Sequence, residues 1–258
     1  MEVILYSVKN GVAHIVLNRP EKYNSFNLEM ALALQKRLDE AEQDSAVRCI
    51  LLSGSGKAFC AGQDLGESAD PSQLDFEQIL KERYNPIVLK IRNMEKPVVC
   101  GVNGVAAGAG ANLALAGDIV IAKESAAFIQ AFINIGLIPD CGGTFMLPRL
   151  VGAARAMALC ITGEKVSAAD AAGMGMICRA VSDERFEEEC TAMAERLASL
   201  PTRGIALTKK LLNESFSNTL EQQLEQEMRL QVEAGKTNDF KEGVSAFMQK
   251  RKPAFQGN

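Results

Sequence analysis

The sequence predicts an α/β fold, because short apolar runs typical of strands alternate with small-residue turns and helical patterns. In the central stretch Pro97–Thr144, an apolar run at 97–102 turns at Asn103-Gly104 and passes into a helix beginning near Gly108. A second apolar run follows at 118–122, and then a glycine-rich loop with a single carboxylate. This succession of a strand, a turn, a helix start and a second strand favours a mixed architecture over an all-helical or all-β one.

The N-terminal part begins with two strand-like runs at 2–8 and 12–18, joined at Lys9-Asn10-Gly11. An Asn-Gly pair between such runs predicts a hairpin. Asn27 is a plausible N-cap for a helix to about Glu42. The run 47–52 predicts the next strand, and it leads directly into a small-residue loop at 54–65.

The region Leu65–Asn93 is polar and loosely helical, with a breaker at Asp70-Pro71-Ser72. Beyond Thr144 the pattern predicts a series of helices, at 144–150, 153–162, 167–173, 183–200, 202–212, 219–232 and 238–252. In the sixth of these, apolar residues recur every four positions at Leu220, Leu224, Met228 and Val232, which indicates core or subunit contact. We expect a core domain at 1–198 and a C-terminal helical subdomain at 199–258.

Composition limits the possible functions. The chain has 258 residues and a net charge of −4, so no global basic field exists to bind nucleic acid. The apolar runs are too short to span a membrane, and the N-terminus begins in a strand pattern rather than a targeting segment, so we expect a cytoplasmic protein. Seven scattered cysteines and one histidine indicate reduced thiols and predict no metal site.

The two small-residue loops have the character of a ligand site. Glycine and alanine let another group approach the backbone closely, since no large side chain blocks it. An N–H in the first turn of the helix near Gly108 would face incoming negative charge, with the helix dipole behind it. Such an N–H is a donor suited to an oxyanion.

Four motifs occur in order along the chain: Asn18-Arg19-Pro20 with Asn24-Ser25-Phe26, then 59–65 (FCAGQDL), 103–110 (NGVAAGAG) and Gly117-Asp118. In this order and spacing the chain resembles the crotonase (enoyl-CoA hydratase/isomerase) superfamily from about Val3 to the C-terminus. The resemblance implies the crotonase (ClpP-like) spiral of ββα units, with parallel strands in two sheets. It also implies a C-terminal helical trimerisation region, a homotrimer or hexamer, and an acyl-CoA substrate.

The resemblance implies a set of site residues. The backbone amides of Ala61 and Ala109 would form an oxyanion hole for the thioester oxygen, and Lys22 and Ser25 would lie along the CoA nucleotide. The remaining implied substrate-binding residues are Gln63, Asp64, Leu65, Gly108, Asn112 and Phe132. No separate cofactor is expected, because coenzyme A is part of the substrate.

The departures from the family pattern indicate which reaction to expect. Hydratases of the family have two glutamates that activate water, and the aligned positions here are Asn112 and Phe132, which cannot transfer protons. Asp140 occupies a position where isomerases place a catalytic aspartate, although it could also be a loop or capping aspartate. Its apolar neighbours Leu137 and Ile138 would raise its pKa towards that of a useful base.

We therefore expect a CoA-thioester isomerase in which Asp140 moves a proton between carbons, as in the shift of a 3-enoyl to a 2-enoyl ester. The alternatives are a 2-enoyl-CoA hydratase and a non-catalytic acyl-CoA binder.

Overall fold

A computed structural model describes residues 2–67 and 74–258 of the chain. The predicted breaker at Asp70-Pro71-Ser72 lies outside the described residues.

Strands in the described part of the chain form two sheets, one of six strands in the order β1-β2-β3-β5-β7-β10 and one of four in the order β4-β6-β8-β9. The hairpin of β1 and β2 is antiparallel, as predicted from the Asn-Gly turn. The strands are β1 (Ile4–Lys9), β2 (Val12–Leu17), β3 (Cys49–Gly54), β4 (Ala58–Cys60), β5 (Val98–Val102), β6 (Val105–Ala107), β7 (Ile119–Lys123), β8 (Ala127–Ile129), β9 (Lys165–Ser167) and β10 (Arg179–Val181).

Successive strands divide between the sheets. β3, β5 and β7 lie side by side and parallel in the large sheet, while β4, β6 and β8 follow them one by one in the small sheet. Each repeat of this pattern therefore contributes one strand to each sheet before the next repeat begins. Because the strands of neighbouring repeats are parallel, the loops that follow β4 and β6 emerge beside each other.

The helices of the described residues agree closely with the predicted series. Asn27 caps α1 by accepting from the Met30 N–H at 2.9 Å, and Ser167 caps α7 by accepting from the Asp170 N–H at 3.1 Å. The helices are α1 (Leu28–Gln43), α2 (Phe76–Gln78), α3 (Asn85–Asn93), α4 (Ala109–Leu115), α5 (Gly143–Val151), α6 (Ala153–Thr162), α7 (Ala168–Gly173), α8 (Phe186–Ala198), α9 (Thr202–Glu214), α10 (Leu220–Ala234) and α11 (Asn238–Met248). A π-helical turn at Ile79–Tyr84 joins α2 to α3.

A buried charged pair fixes α9 against the large sheet. Lys209 donates to the Asp118 carboxylate at 2.8 Å and to the Ile91 carbonyl at 2.7 Å. The same carboxylate oxygen accepts from the Val98 N–H at 2.8 Å, so Asp118 braces the start of β5 as well as preceding β7. Breaking such a pair would leave one buried charge without a partner, so it fixes the position of the helix.

The apolar stripe of α10 is not part of this chain's core. Leu220, Leu224, Met228 and Val232 are between 54% and 70% exposed. Of the two interpretations of that stripe, only subunit contact is left, and it stays a prediction. Whether residues 199–258 form a subdomain of their own likewise stays a prediction, although α8 does end at Ala198. No helix in the described ranges has the length and apolarity needed to cross a membrane.

Candidate active site

The loop from β6 into α4 offers the first backbone donor. Gly108 has a φ of +53° and donates its own N–H to the Ile129 carbonyl at 2.9 Å, and α4 begins at the next residue, Ala109. The Ala109 N–H lies in the first helical turn, where no intrahelical acceptor exists. It has no acceptor among the described residues.

The loop after β4 packs directly on this helix start. A Cβ added to Gly110 would lie 2.2 Å from the Cys60 carbonyl oxygen, and one added to Gly62, whose φ is +93°, would lie 3.0 Å from the Ala107 carbonyl oxygen. Only glycine leaves room for backbone against backbone at these positions. The small residues of the two motifs therefore bring the two loops into contact.

Ala61 requires a correction. Its N–H donates to the Tyr23 carbonyl at 3.0 Å, so the amide is already paired and is not free to bind a substrate oxygen. The sequence-based assignment of this residue as a donor does not hold in the structure, because the chain at Ala61 runs against the turn at Tyr23.

Gln63 presents the free amide of this loop. On either side of it, the Phe26 N–H donates to the Gly62 carbonyl at 2.7 Å and the Asp64 N–H donates to the Phe26 carbonyl at 2.9 Å. The carbonyl and the N–H of one trans peptide point in opposite directions, and the Gly62 carbonyl and the Gln63 N–H belong to the same peptide. The Gln63 N–H therefore points away from Phe26, and within the described part of the chain it has no acceptor.

Asp140 lies against the first turn of α4. Its main-chain carbonyl accepts from the Asn112 side chain at 2.8 Å and from the Gly143 N–H at 2.9 Å. Burial raises the pKa of the Asp140 carboxyl, and the adjacent Cys141 thiol partly offsets this effect. The carboxylate atom Oδ1 is buried and has no hydrogen-bond partner among the described residues. A partly buried carboxylate with an unpaired oxygen is suited to accepting a proton.

Asn112 braces the Asp140 loop. The residue is fully buried, its Oδ1 accepts from the Gln130 amide at 2.9 Å, and its Nδ2 donates to the Asp140 carbonyl at 2.8 Å. Each polar atom of the side chain therefore has a partner within the protein. Contact of Asn112 with substrate stays a prediction.

Phe132 is buried beside Gly108. Only 6% of its surface is exposed, and the ring lies 3.8–4.0 Å from the position that a Gly108 Cβ would occupy. The residue thus forms an apolar wall next to the start of α4. Its contact with substrate stays a prediction.

Asp64 also has a bracing role. One carboxylate oxygen pairs with Arg19 at 2.9 Å and the other accepts from the Gly66 N–H at 3.1 Å. Arg19 donates in addition to the Ser25 carbonyl at 2.6 Å, so one guanidinium connects two of the sequence motifs. Both carboxylate oxygens of Asp64 thus have partners within the protein, and contact of Asp64 with substrate stays a prediction.

The positions expected along the nucleotide differ in exposure. Lys22 is exposed, Ser25 is 7% exposed, and Leu65 is 40% exposed. The Ser25 N–H donates to the Lys22 carbonyl at 3.0 Å. Their contact with CoA stays a prediction. Among the residues that the structure describes, no group of three or more histidine, cysteine or acidic side chains comes together to hold a metal.

Tyr84, Arg19 and Gln130 were not recognised as site residues from sequence. Tyr84 is 2% exposed and donates its hydroxyl to the Gln63 side chain at 2.8 Å. Arg19 and Asp64 are both in recognised motifs, so their opposite charges could have suggested the pair. Tyr84 and Gln130 stand outside the motifs, and no local pattern marks them.

Comparison with known proteins places this geometry in a family. The family model described as "Enoyl-CoA hydratase/isomerase" matches residues 7–258. The chain belongs to the enoyl-CoA hydratase/isomerase family.

Curated relatives within the enoyl-CoA hydratase/isomerase family bear different activity names. The chain is 49% identical to a 1,2-epoxyphenylacetyl-CoA isomerase of Escherichia coli, over 100% of this chain and 99% of the relative. It is also 49% identical to a probable enoyl-CoA hydratase of Rhodobacter capsulatus, over 98% of each. The family is therefore certain, whereas these names divide between isomerase and hydratase.

Solved structures of the enoyl-CoA hydratase/isomerase family share the architecture. A putative enoyl-CoA hydratase/isomerase from Mycobacterium abscessus superposes with a TM-score of 0.93 at 38% identity, covering 99% of this chain and 100% of that one. A putative enoyl-CoA hydratase from Streptomyces coelicolor superposes with a TM-score of 0.92 at 33% identity, covering 99% of this chain and 94% of that one. The predicted crotonase fold is confirmed.

Proposed function

We propose that the protein is a CoA-thioester isomerase in which the Asp140 carboxylate moves a proton and the Gln63 and Ala109 amides bind the enolate oxygen. One observation carries the proposal: an unpaired, partly buried carboxylate oxygen lies on a loop braced against the helix turn that presents the Ala109 N–H. The residues at the two hydratase glutamate positions support it, since neither the amide of Asn112 nor the ring of Phe132 can take up or release a proton.

The mechanism follows from the acidity of the carbon next to a thioester. Asp140 removes a proton from that carbon, and negative charge develops on the thioester oxygen. Two N–H donors stabilise this charge, and each is typically worth about 2.7–4 kcal/mol in the transition state. The protonated carboxyl then returns the proton two bonds further along the chain. The double bond moves from the 3- to the 2-position, and no atom is gained or lost.

The narrower substrate is ring-1,2-epoxyphenylacetyl-CoA, rearranged to its oxepin isomer. The 49% identity with the Escherichia coli enzyme over the full length supports this assignment. It also supports a place in phenylacetate breakdown. The equal identity of the Rhodobacter capsulatus relative, named as a probable hydratase, makes 2-enoyl-CoA hydratase the second candidate.

Replacement of Asp140 by Asn tests the proposal. The variant should keep acyl-CoA binding, measured by calorimetry, and lose about 10²–10⁴-fold in isomerisation of a 3-enoyl-CoA, followed by ultraviolet absorbance and mass. The matched control is Asp170→Asn, which changes an exposed carboxylate at the start of α7 and should retain full activity.

Three outcomes separate the candidates. Isomerisation by Asp140→Asn at the wild-type rate would contradict the assigned base. Hydration of crotonyl-CoA by the wild type at typical hydratase rates, unaffected by Asp140→Asn, would favour the second candidate. Tight binding of acyl-CoA without exchange of the adjacent carbon's protons in heavy water would indicate a non-catalytic binder.

A further inference from the structure

The Gln63 side chain is the centre of a hydrogen-bonded network that the proposed mechanism does not use. Its Oε1 accepts from the Tyr84 hydroxyl at 2.8 Å, and its Nε2 donates to Glu67 at 3.0 Å. The same Glu67 oxygen pairs with Arg83 at 2.5 Å, and the other accepts from the Leu28 N–H at 2.9 Å. The network therefore connects the loop after β4 to the π-helical turn and to the start of α1.

Tyr84 is a rigid partner in this network. Its side chain is 2% exposed, and its ring packs against Phe26 with centroids 5.6 Å apart. Burial raises the pKa of Tyr84 well above its ordinary value, and the nearby Cys60, Cys141 and Asp140 add to this effect. The hydroxyl therefore stays protonated and acts as the donor to Gln63. Tyr84 closes the π-helical turn Ile79–Tyr84, a distortion of helix geometry often found at functional sites.

Two sets of contacts fix Gln63 from different directions. The main chain of Phe26 bonds to both neighbours of Gln63 on one side, while Tyr84 and Glu67 hold the two polar atoms of its side chain. Phe26 takes part in both, since its backbone pairs with the loop and its ring packs on Tyr84. The direction of the Gln63 N–H is thus constrained both by main-chain bonds to its two neighbours and by bonds to its own side chain.

We infer that Tyr84 is a positioning residue, which sets the direction of the Gln63 N–H through the Gln63 side chain. The inference rests on the proposed function, in which that amide binds the thioester oxygen. Tyr84 itself does not touch the reacting atoms in this account. It acts on how strongly the carbonyl is polarised.

The variant Tyr84→Phe removes the hydroxyl and keeps the ring that packs on Phe26. The first measurement is the carbonyl stretching frequency of bound butyryl-CoA labelled with ¹³C at the thioester carbon. Binding to the wild type should lower this frequency, and binding to Tyr84→Phe should lower it less. The kcat for 3-enoyl-CoA isomerisation should fall about three- to tenfold with KM within about twofold.

A double-mutant comparison distinguishes positioning from general support of the fold. If Tyr84 acts through Gln63, adding Tyr84→Phe to Gln63→Met should change kcat and the carbonyl frequency little further. The matched control is Tyr6→Phe on β1, outside the site, which should leave both unchanged. A carbonyl frequency and kcat in Tyr84→Phe equal to those of the wild type, or the same loss in the Gln63→Met background, would overturn the inference.

Failure of the proposed function gives a different result. If the carbonyl frequency shifts on binding but no 3-enoyl-CoA is isomerised, the role of Asp140 fails while the effect of Tyr84→Phe on the frequency still tests the inference. If binding to the wild type does not shift the frequency, the amides do not bind the carbonyl, and the role of Tyr84 is excluded with them.

Discussion

The two loops that present free amides are held by different forces. The loop after β4 is tied by polar side chains, with Arg19 bound to Asp64 and Tyr84 bound to Gln63. The start of α4 is held by close packing, and all seven residues of that helix are buried. Gly110 is in backbone contact with Cys60 there.

This difference predicts different tolerance to substitution. A packed backbone contact cannot accept even a methyl group, because neither side can move away without disturbing the sheet behind it. A loop held by several side-chain hydrogen bonds can lose one of them and keep its conformation. We therefore expect changes at the start of α4 to affect folding, and changes in the loop after β4 to affect stability and activity by smaller steps.

The largest effect is expected from Gly110→Ala. The new Cβ would lie 2.2 Å from the Cys60 carbonyl oxygen, so the two loops would have to separate. The free energy of unfolding should fall by about 3 kcal/mol or more, measured by denaturant titration.

A second helical glycine provides the control. A Cβ at Gly173, in α7, meets no atom within 4 Å. Gly173→Ala should leave stability unchanged or raise it by about 0.4–1 kcal/mol. Equal effects of the two substitutions would show that the contact with Cys60 is not what makes Gly110 necessary.

Arg19→Met should have an intermediate effect on the loop after β4. The side chains of Arg19 and Asp64 are each 13% exposed, and loss of the guanidinium leaves the carboxylate without its charged partner. We expect the free energy of unfolding to fall by about 1–3 kcal/mol, measured by thermal and denaturant unfolding.

Lys36→Met is the control for that measurement, because the ion pair of Lys36 with Glu40 is exposed, and its loss should cost about 0.5 kcal/mol or less. If Arg19→Met lowers the free energy of unfolding no more than this control does, the ion pair of Arg19 with Asp64 does not hold the loop.

The smallest effect concerns Asp140 and pH. Because burial raises its pKa above the ordinary value of 3.8, the folded protein binds this proton more tightly than the unfolded chain does. Stability from this group is fully present below the unfolded pKa and is lost as pH rises through the folded pKa. Asp140→Asn should therefore melt a few degrees above the wild type at neutral pH, and the difference should vanish below about pH 4. Melting curves recorded between about pH 4 and neutral pH check this prediction. A difference in melting temperature that does not depend on pH would contradict a raised pKa.

Much of the fold could be predicted from the sequence. Hairpin, caps and long helices agree because each depends on local signals, such as Asn10-Gly11 between alternating runs or Asn27 before an apolar periodicity. The strands of three residues, β4, β6, β8, β9 and β10, were not predicted as strands, since a run so short shows no alternation. They become strands by pairing with a neighbour in the folded chain: β4, β6, β8 and β10 have parallel partners, whereas β9 pairs antiparallel with β8.

The site was predicted less completely. The motifs located both loops and Asp140, but identifying a free amide requires knowing where each neighbouring amide is paired. Ala61 was chosen although it bonds to Tyr23, and Gln63 presents the free N–H. Likewise, nothing in the sequence near Asn112 shows that its amide reaches Asp140, which is 28 residues further on.

The packing of Asn112 on the Asp140 loop couples two positions that are distant in the sequence. A Cβ on Gly143 would lie 2.2 Å from the Asn112 amide nitrogen, so no space is left between the two residues. A longer side chain at 112, or any side chain at 143, would therefore displace the segment that includes Asp140. Substitutions at 112 and 143 are expected to be non-additive, because each changes the space that the other residue needs.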